Sequence, residues 1–357
     1  MEAVLPAPAV VPESRMALKQ CGGGVSDAAD DLFDPAQSAG VGRNKERARL
    51  GCALPFIVGV NPWIKGVFEL YRSSFEKLRC FPEITSDDLE ARFTATLEDL
   101  VIEHQDVTTN LARGFGECGT AYMSQADRTN FLDGMINARI GIRILAENHL
   151  ALQRPADPEW IGVVHKSFSP AKLITAVGNH CREICNVNYG SSPEFIINGT
   201  GAAATFPYIP NHVEYIIMEL MKNAMRATVE HSTKTSRMDH PPIEVTIVQG
   251  EDDIAIRLRD QGGGIPAPLI PFVFDYSFTT VRKDEDDDAA AHDMFSAQTI
   301  MQNATGGPMA GLGFGLPMSR NYAKYFGGSL EITSISGHGA DVFIHLPDPF
   351  RTEKFLE

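Results

Sequence analysis

The sequence predicts two domains after a 45-residue tail: an all-α antiparallel four-helix bundle over residues 46–165, then an α+β sandwich over 166–350. Three observations carry this reading. From Trp63 to about Leu152 apolar residues recur at helical spacing, and strand-like alternation is absent. From Ile243 onward a two-residue alternation takes over, in Ile243 to Val248, Ile254 to Leu258, Leu330 to Ile335 and Val342 to Leu346. Helical segments and glycine turns are interleaved with those strands, so helices layered on a mixed sheet are expected.

Composition fits this division. The chain has 357 residues, room for about two domains, and 43% of them are hydrophobic against 22% charged. A net charge of -15 argues against nucleic acid as a partner, because phosphates must be neutralised by clustered basic residues. There is no apolar run of about 18 residues, so no membrane span is expected. Cys21, Cys52, Cys80, Cys118, Cys181 and Cys185 lack a pairing rhythm. Cys181 and Cys185 lie one helical turn apart beside His180, but no second ligand pair at zinc spacing follows. Free thiols are the simpler reading, and they suit an intracellular compartment.

The tail, residues 1–45, is rich in Ala, Gly, Pro and Ser and has no helical stripe. It matches an organellar import leader poorly, since Glu2 and Glu13 come early and only Arg15 and Lys19 are basic before residue 40. In the bundle, Val67, Leu70, Tyr71, Ser74, Phe75 and Leu78 share one face. A second stripe runs through Leu97, Leu100, Val101, His104, Val107 and Leu111. A third takes in Phe131, Met135, Ile136, Arg139, Ile140, Arg143 and Leu145. The joint is expected between Ala156 and Phe168. Ser169-Pro170 opens a helix reaching Val187, the two strands flanking Gly250 to Asp253 make a hairpin, and Pro317 to Phe326 is helical. Residues 281–310 show no periodicity and carry an acidic run from Asp284 to Asp288, which reads as a functional lid.

Three motifs in the second half carry chemistry. Glu219, Asn223 and Arg226 lie at i, i+4 and i+7 on one helix, with Ile217, Leu220, Ala224 and Ala227 on another face. Taken alone, this is most simply a solvated polar face. Asn223, however, suits a Mg²⁺ ligand, and Glu219 one turn earlier could accept a proton beside a γ-phosphate. Asp260 ends a strand and precedes Gly262, Gly263 and Gly264, which let the backbone approach a flat ring while the carboxylate meets the adenine amino group. Gly311, Gly313 and Gly315 precede a helix, an arrangement that holds phosphates on backbone amides. One glycine motif is weak. Three in this order point to an ATP site.

With these motifs the chain resembles the ATPase/kinase superfamily of DNA gyrase, Hsp90-type chaperones, MutL and histidine kinases, which implies a Bergerat-type sandwich. Lys222-Asn-Ala-Met-Arg-Ala-Thr228 and Gly313-Phe-Gly-Leu-Pro-Met-Ser-Arg320 resemble the mitochondrial 2-oxoacid dehydrogenase kinases more closely. Phe131-Leu-Asp133, Arg139-Ile-Gly-Ile-Arg143, His149-Leu-Ala-Leu152, Asp275-Tyr-Ser-Phe-Thr-Thr280 and Tyr322-Ala-Lys-Tyr-Phe-Gly-Gly-Ser-Leu330 are most similar to the branched-chain type. The resemblance runs from about Pro55 to Leu346. It implies an ATP-dependent serine kinase in the mitochondrial matrix, with the tail as a transit peptide. It also implies a homodimer that phosphorylates and inactivates the decarboxylase component of the branched-chain complex and binds the lipoyl domain of its acyltransferase core.

Matching motifs make Glu219 the general base and Asn223 the Mg²⁺ ligand. They assign nucleotide contacts to Asn223, Arg226, Asp260, Gly262, Gly264, Thr279, Thr280, Gly311, Leu312, Gly313, Phe314, Gly315 and Leu316. The resemblance further implies K⁺ on the carbonyls of Val273, Asp275 and Phe278. Three departures stand out. Tyr215 replaces the His that pyruvate-type kinases carry one turn before the base, as in the branched-chain type. Ala340 in Gly337-His-Gly-Ala-Asp341 replaces a Thr that helps hold adenine, which puts ATP affinity in question. The chain ends shortly after Leu346, where pyruvate-type kinases extend a longer tail.

His104, Arg139 and Arg143 are most simply a core histidine and two arginines with packed stems. The resemblance implies instead that they bind a small carboxylate, a branched-chain ketoacid acting as a regulator, in a pocket walled by Ile140, Ile144 and Leu100. Three other readings compete. Pyruvate dehydrogenase is the alternative target, an ATP-gated pseudokinase or scaffold is supported by Ala340 alone, and a histidine kinase lacks the His-Glu/Asp-x-x-x-Pro context at His104.

Overall fold

The computed structural model describes residues 54–119, 121–277 and 313–349. The tail at 1–45 and the lid at 281–310 lie outside the described residues, as do Phe278, Thr279, Thr280, Gly311 and Leu312.

The first half is helical: α1 Phe56–Gly59, α2 Pro62–Arg79, α3 Asp87–Glu103, α4 Val107–Cys118 and α5 Gln125–Leu152. Local chemistry sets the starts. The Asn61 side chain accepts from the amides of Trp63 and Ile64 ahead of Pro62, and Ser86 accepts from Leu89 with Asp87, Asp88 and Glu90 in the first turn. Ser124 caps α5 by accepting from the Asp127 amide and donates its hydroxyl to the Asp127 carboxylate. Helix α2 packs on α4, and α3 on α5.

The second expected stripe needs correcting. Leu97, Leu100 and Val101 lie on α3, but Val107 and Leu111 lie on α4, and His104 caps the end of α3. The apolar spacing continues across the break, so the pattern reads as one helix. In the first stripe Leu78 turns outward, while Ile64, which the pattern left out, is buried.

The expected joint is itself structured. Strands β1 Trp160–Ile161 and β2 Val164–Phe168 form a hairpin, and β2 pairs with β4 Phe206–Tyr208. The boundary at 165–166 therefore falls inside β2, which belongs by its pairing to the second half.

Beyond it come α6 Pro170–Tyr189, β3 Phe195–Asn198, α7 Pro210–Lys234, β5 Ile243–Gln249, β6 Asp253–Arg259, α8 Gly315–Tyr325, β7 Ser329–Ile335 and β8 Gly339–Pro347. The five-stranded sheet runs β3-β5-β6-β8-β7, with β3 parallel to β5 and every other pair antiparallel. Its inner face stacks Val245 opposite Leu258, Ile247 opposite Ile256, and Ile256 opposite Ile344. Helix α7, packed between α6 and α8, buries Val213, Ile216, Ile217, Leu220 and Met221. Each fully buried side chain of this size contributes about 1.5–3 kcal/mol. One continuous apolar cluster runs from Val58 to Leu346, so the two halves share a core. Among the described residues no helix is long and apolar enough to cross a membrane.

Candidate active site

The site is built on α7. The residues of this helix that are less than fully buried include Lys222, Asn223, Arg226 and Ala227, a strip one turn deep on either side of Asn223. Glu219 begins that strip and is only 8% exposed. Its Oε1 accepts from the Lys222 ammonium, and both side chains are about 10% exposed. Lys222 carried no expected role, because an i, i+3 Lys is common on any helix. Arg226 is half-buried and faces Glu230 at 3.8 Å.

Asp260 ends β6 and is 8% exposed. Its Oδ1 accepts from the amides of Gly262 at 2.8 Å and Ala340 at 3.3 Å. Burial raises the acid's pKa, and these two backbone donors oppose the rise. No partner for Oδ2 exists among the described residues, so that oxygen can accept from a ligand. Gly262 lies against α7: a Cβ there would come within 2.5 Å of the Ala227 Cβ. Ala227 thus belongs to the site side of α7, with Asn223 and Arg226, rather than to the separate face on which the sequence grouped it with Ile217, Leu220 and Ala224. Gly264 has φ +69, and a Cβ would come within 2.2 Å of the Ile335 carbonyl oxygen. Only glycine fits this crossing of the turn over β7.

The phosphate-type turn closes the site. Gly313 has φ +71 and accepts at its carbonyl from the Ser277 amide at 3.1 Å. Phe314 is fully buried and Leu316 half-buried. Gly315, the first residue of α8, lies against Glu219, since a Cβ on it would fall 2.2 Å from Glu219 Oε2. The structure therefore brings Glu219, the α7 face, Asp260 with Gly262, and the start of α8 together.

The residues fit ATP. Asp260 offers one oxygen, and Gly262 and Gly315 let the two turns that flank the site pack directly on α7, where a Cβ would collide with Ala227 and Glu219. Mg²⁺ fits only as an ion held by Asn223 together with phosphate and water oxygens, because the described residues contain no group of three His, Cys, Asp or Glu side chains placed for a metal. Of the residues expected at K⁺, Val273 is buried and Asp275 half-buried.

Tyr215, one turn before Glu219, is buried and donates to Met318 Sδ at 3.7 Å. Burial foremost, and then the Glu219 charge, raise its pKa well above the usual phenol value, so it keeps its proton at neutral pH and stays a donor.

The second expected site is changed by the structure. His104 bonds Ser74 Oγ at 2.7 Å and meets Tyr71 edge-on at 4.6 Å. Burial, then the Arg139 charge, lower its pKa to about 4, so it is neutral at pH 7 rather than cationic. Arg143 pairs with Glu147, Nε to Oε1 at 3.0 Å, which supplies an anion within the protein. Only Arg139 remains of the expected cationic trio. It is 6% exposed and has no hydrogen-bond or ion-pair partner among the described residues. His212, which the sequence reading left out, is 7% exposed, stacks on Phe326 at 5.6 Å and feels the charge of Arg143. Cys181 and Cys185 are free, buried thiols whose pKa values burial pushes up to about 12 and about 11.

Comparison with known proteins finds matches over both halves of the chain. Residues 41–165 match the family described as mitochondrial branched-chain alpha-ketoacid dehydrogenase kinase. Residues 208–349 match the family of histidine kinase-, DNA gyrase B- and HSP90-like ATPases. The mitochondrial [pyruvate dehydrogenase (acetyl-transferring)] kinase of Arabidopsis thaliana is 35% identical over 82% of this chain and 78% of its own length. The kinase of the same name from Schizosaccharomyces pombe is 36% identical over 72% of this chain and 59% of its own. Isozyme 4 of Mus musculus is 31% identical over 80% of this chain and 68% of its own.

Proposed function

The chain belongs to the family of mitochondrial 2-oxoacid dehydrogenase kinases, with a gyrase/Hsp90-type ATPase domain, and within that family we propose that it is a serine kinase of the branched-chain complex. In this reading the target is the decarboxylase component, the protein works in the mitochondrial matrix as a homodimer, and the helical half is a four-helix bundle that docks the lipoyl domain. The observation that carries the kinase chemistry is the placement of Glu219. A buried carboxylate on α7 lies against the first residue of α8 and beside Asn223, one turn on.

The serine oxygen would bond the γ-phosphorus of ATP as ADP leaves, and Mg²⁺ would offset the phosphate charge. The Asp260 carboxylate and the bare backbone of Gly262 hold adenine. Asn223 would hold the Mg²⁺, and the turn ending at Gly315 would offer backbone amides to phosphate. Glu219 takes the proton of the substrate serine at Oε2, and Lys222 fixes the other oxygen. Arg226, Thr279, Thr280, Leu312, Phe314 and Leu316 would complete the nucleotide contacts, and the carbonyls of Val273, Asp275 and Phe278 would hold K⁺.

Tyr215 favours the branched-chain target, since that type has Tyr where pyruvate-type kinases have His. The names of the matched relatives favour the second reading, a pyruvate dehydrogenase kinase. Incubating the protein with each purified complex and labelled ATP decides. Labelling of the branched-chain decarboxylase alone supports the first reading, and labelling of the pyruvate enzyme alone supports the second.

The unpaired Arg139 supports an anion site in the helical half. A branched-chain ketoacid carries the carboxylate that a buried guanidinium needs and an apolar tail for Ile140, Ile144 and Leu100. Arg139, with Arg143 and neutral His104 as hydrogen-bonding neighbours, is the proposed regulatory site.

A further inference from the structure

Two of the polar contacts between the helical half and the ATPase domain converge on one carboxylate. Asp133, on α5, accepts at Oδ1 from the Tyr276 hydroxyl at 2.7 Å and from Asn321 Nδ2 at 2.8 Å. Asn321 Nδ2 also donates to the Tyr276 oxygen at 2.8 Å. Tyr276 is 1% exposed and Asn321 5%. Two turns earlier on α5, Gln125 Nε2 donates to the Tyr276 carbonyl at 3.0 Å. Helix α5 therefore grips Tyr276 by its main chain and by its hydroxyl.

Tyr276 and Asn321 lie on either side of the phosphate-type turn. The residue after Tyr276, Ser277, donates its amide to the Gly313 carbonyl and holds φ at +67. The Tyr276 ring meets Phe314 at 4.9 Å and 65°. Gly313 and Phe314 lead directly into Gly315, which abuts Glu219. Asn321 lies on α8, which that turn begins. Burial foremost, then the charge of Asp133, keep the Tyr276 phenol protonated, so it stays a donor. Removing the carboxylate leaves two buried donors without an acceptor, which repacks the segments they belong to.

We propose that Asp133 is a positioning residue for phosphotransfer. From the helical half it fixes Tyr276 and Asn321, and through them the turn at 313–315 against Glu219. This rests on the reading of that turn and Glu219 as the nucleotide site. It makes nucleotide affinity sensitive to how the two halves are held together, and linkage requires the converse.

The test uses the full chain. Mg-ATP affinity by calorimetry, and kcat and KM for ATP with the purified dehydrogenase complex, are measured for the wild type, Asp133→Ala, Asp133→Asn, Tyr276→Phe and the double variant Asp133→Ala/Tyr276→Phe. Asp133→Ala should lose about tenfold in ATP affinity or kcat, the scale of a buried charge-assisted hydrogen bond. Tyr276→Phe should lose less, and the double variant should be no worse than Asp133→Ala. Asp133→Asn, which keeps an acceptor for the Tyr276 hydroxyl, should recover most of the loss. If Asp133→Ala does not fold, Tyr276→Phe, Asn321→Ala and their double form the cycle, with non-additive losses expected. Losses that multiply, or single variants that bind and turn over ATP as the wild type does, overturn the inference alone. A wild-type chain that binds no ATP overturns the nucleotide-site reading and this inference together.

Discussion

Glu219 and Gly315 are in contact across the site: a Cβ added to Gly315 would fall 2.2 Å from Glu219 Oε2. The base position and the start of α8 are thus mutually fitted, and the space between them exists only because residue 315 has no side chain. Lys222, paired to the other oxygen, leaves the Glu219 carboxylate little room to retreat.

Gly315→Ala tests that fit. The added methyl pushes the carboxylate off its pairing with Lys222 or shifts the start of α8, and overpacking of this kind costs about 1–3 kcal/mol. Phosphotransfer should fall while Gly66→Ala, on α2 at a glycine with open space around its Cβ and no positive φ, leaves transfer as in the wild type. Equal transfer by Gly315→Ala and wild type would separate Glu219 from α8.

At the adenine end, the Ala340 amide donates to Asp260 Oδ1 and the Ala340 carbonyl accepts from the Asp260 amide at 2.9 Å. The main chain of residue 340 thus does the holding, and its methyl leaves a hydroxyl-sized opportunity. Asp260→Asn should weaken adenine selectivity, read as the ratio of ATP to GTP affinities. Ala340→Thr should tighten ATP by roughly 0.5–1.5 kcal/mol, about one hydrogen bond. Unchanged affinity in calorimetry would mean that another group already fills that place.

Two buried histidines should make stability fall as the solution is acidified. His104 and His212 have folded pKa values of about 4 and about 3, lowered first by burial and then by Arg139 and Arg143 respectively. Arg143 and Lys77 also lower His104, and Glu103 opposes them. Because the folded values lie below the unfolded value of about 6.5, the stabilisation is full above that pH and lost as pH falls toward the folded values. At pH 5 each histidine costs up to about 2 kcal/mol. His212→Phe should flatten the fall in denaturation midpoint between pH 7 and pH 5. A slope equal to that of the wild type would mean that His212 is not buried neutral.

Regulation is read at Arg139. Arg139→Met should raise the concentration of α-ketoisocaproate needed for half-inhibition, measured against the variant's own uninhibited rate, by about tenfold or more, the scale of a charge-assisted contact. Arg143→Ala should have a smaller effect, because Glu147 already shares that guanidinium. The same inhibition in Arg139→Met as in the wild type would make this arginine structural.

Much of the fold was legible, and the gaps have physical causes. The four strands around the hairpin and β7–β8 alternate cleanly because one sheet face is buried, so β5, β6, β7 and β8 follow from period two alone. Strands β3 and β4 have four and three residues, too few to show a period. The break at His104 was hidden because the apolar spacing runs on across it. In the site, the glycines at 262, 264 and 315 announced close approaches, but not what they approach. Asp133 meets Tyr276 across 143 positions and Asn321 across 188, and no local pattern encodes such partners. The pairing of Glu147 with Arg143 was local and readable at i, i+4.

The most direct test of the account is Glu219→Gln. The amide keeps the shape of the side chain and removes only its capacity to take a proton. Mg-ATP affinity by calorimetry should stay within about threefold of wild type, while transfer of labelled phosphate to the dehydrogenase complex should fall by roughly 10²–10⁴-fold, the scale of a general base. Transfer at the wild-type rate in this variant would contradict the assignment of Glu219 as the base.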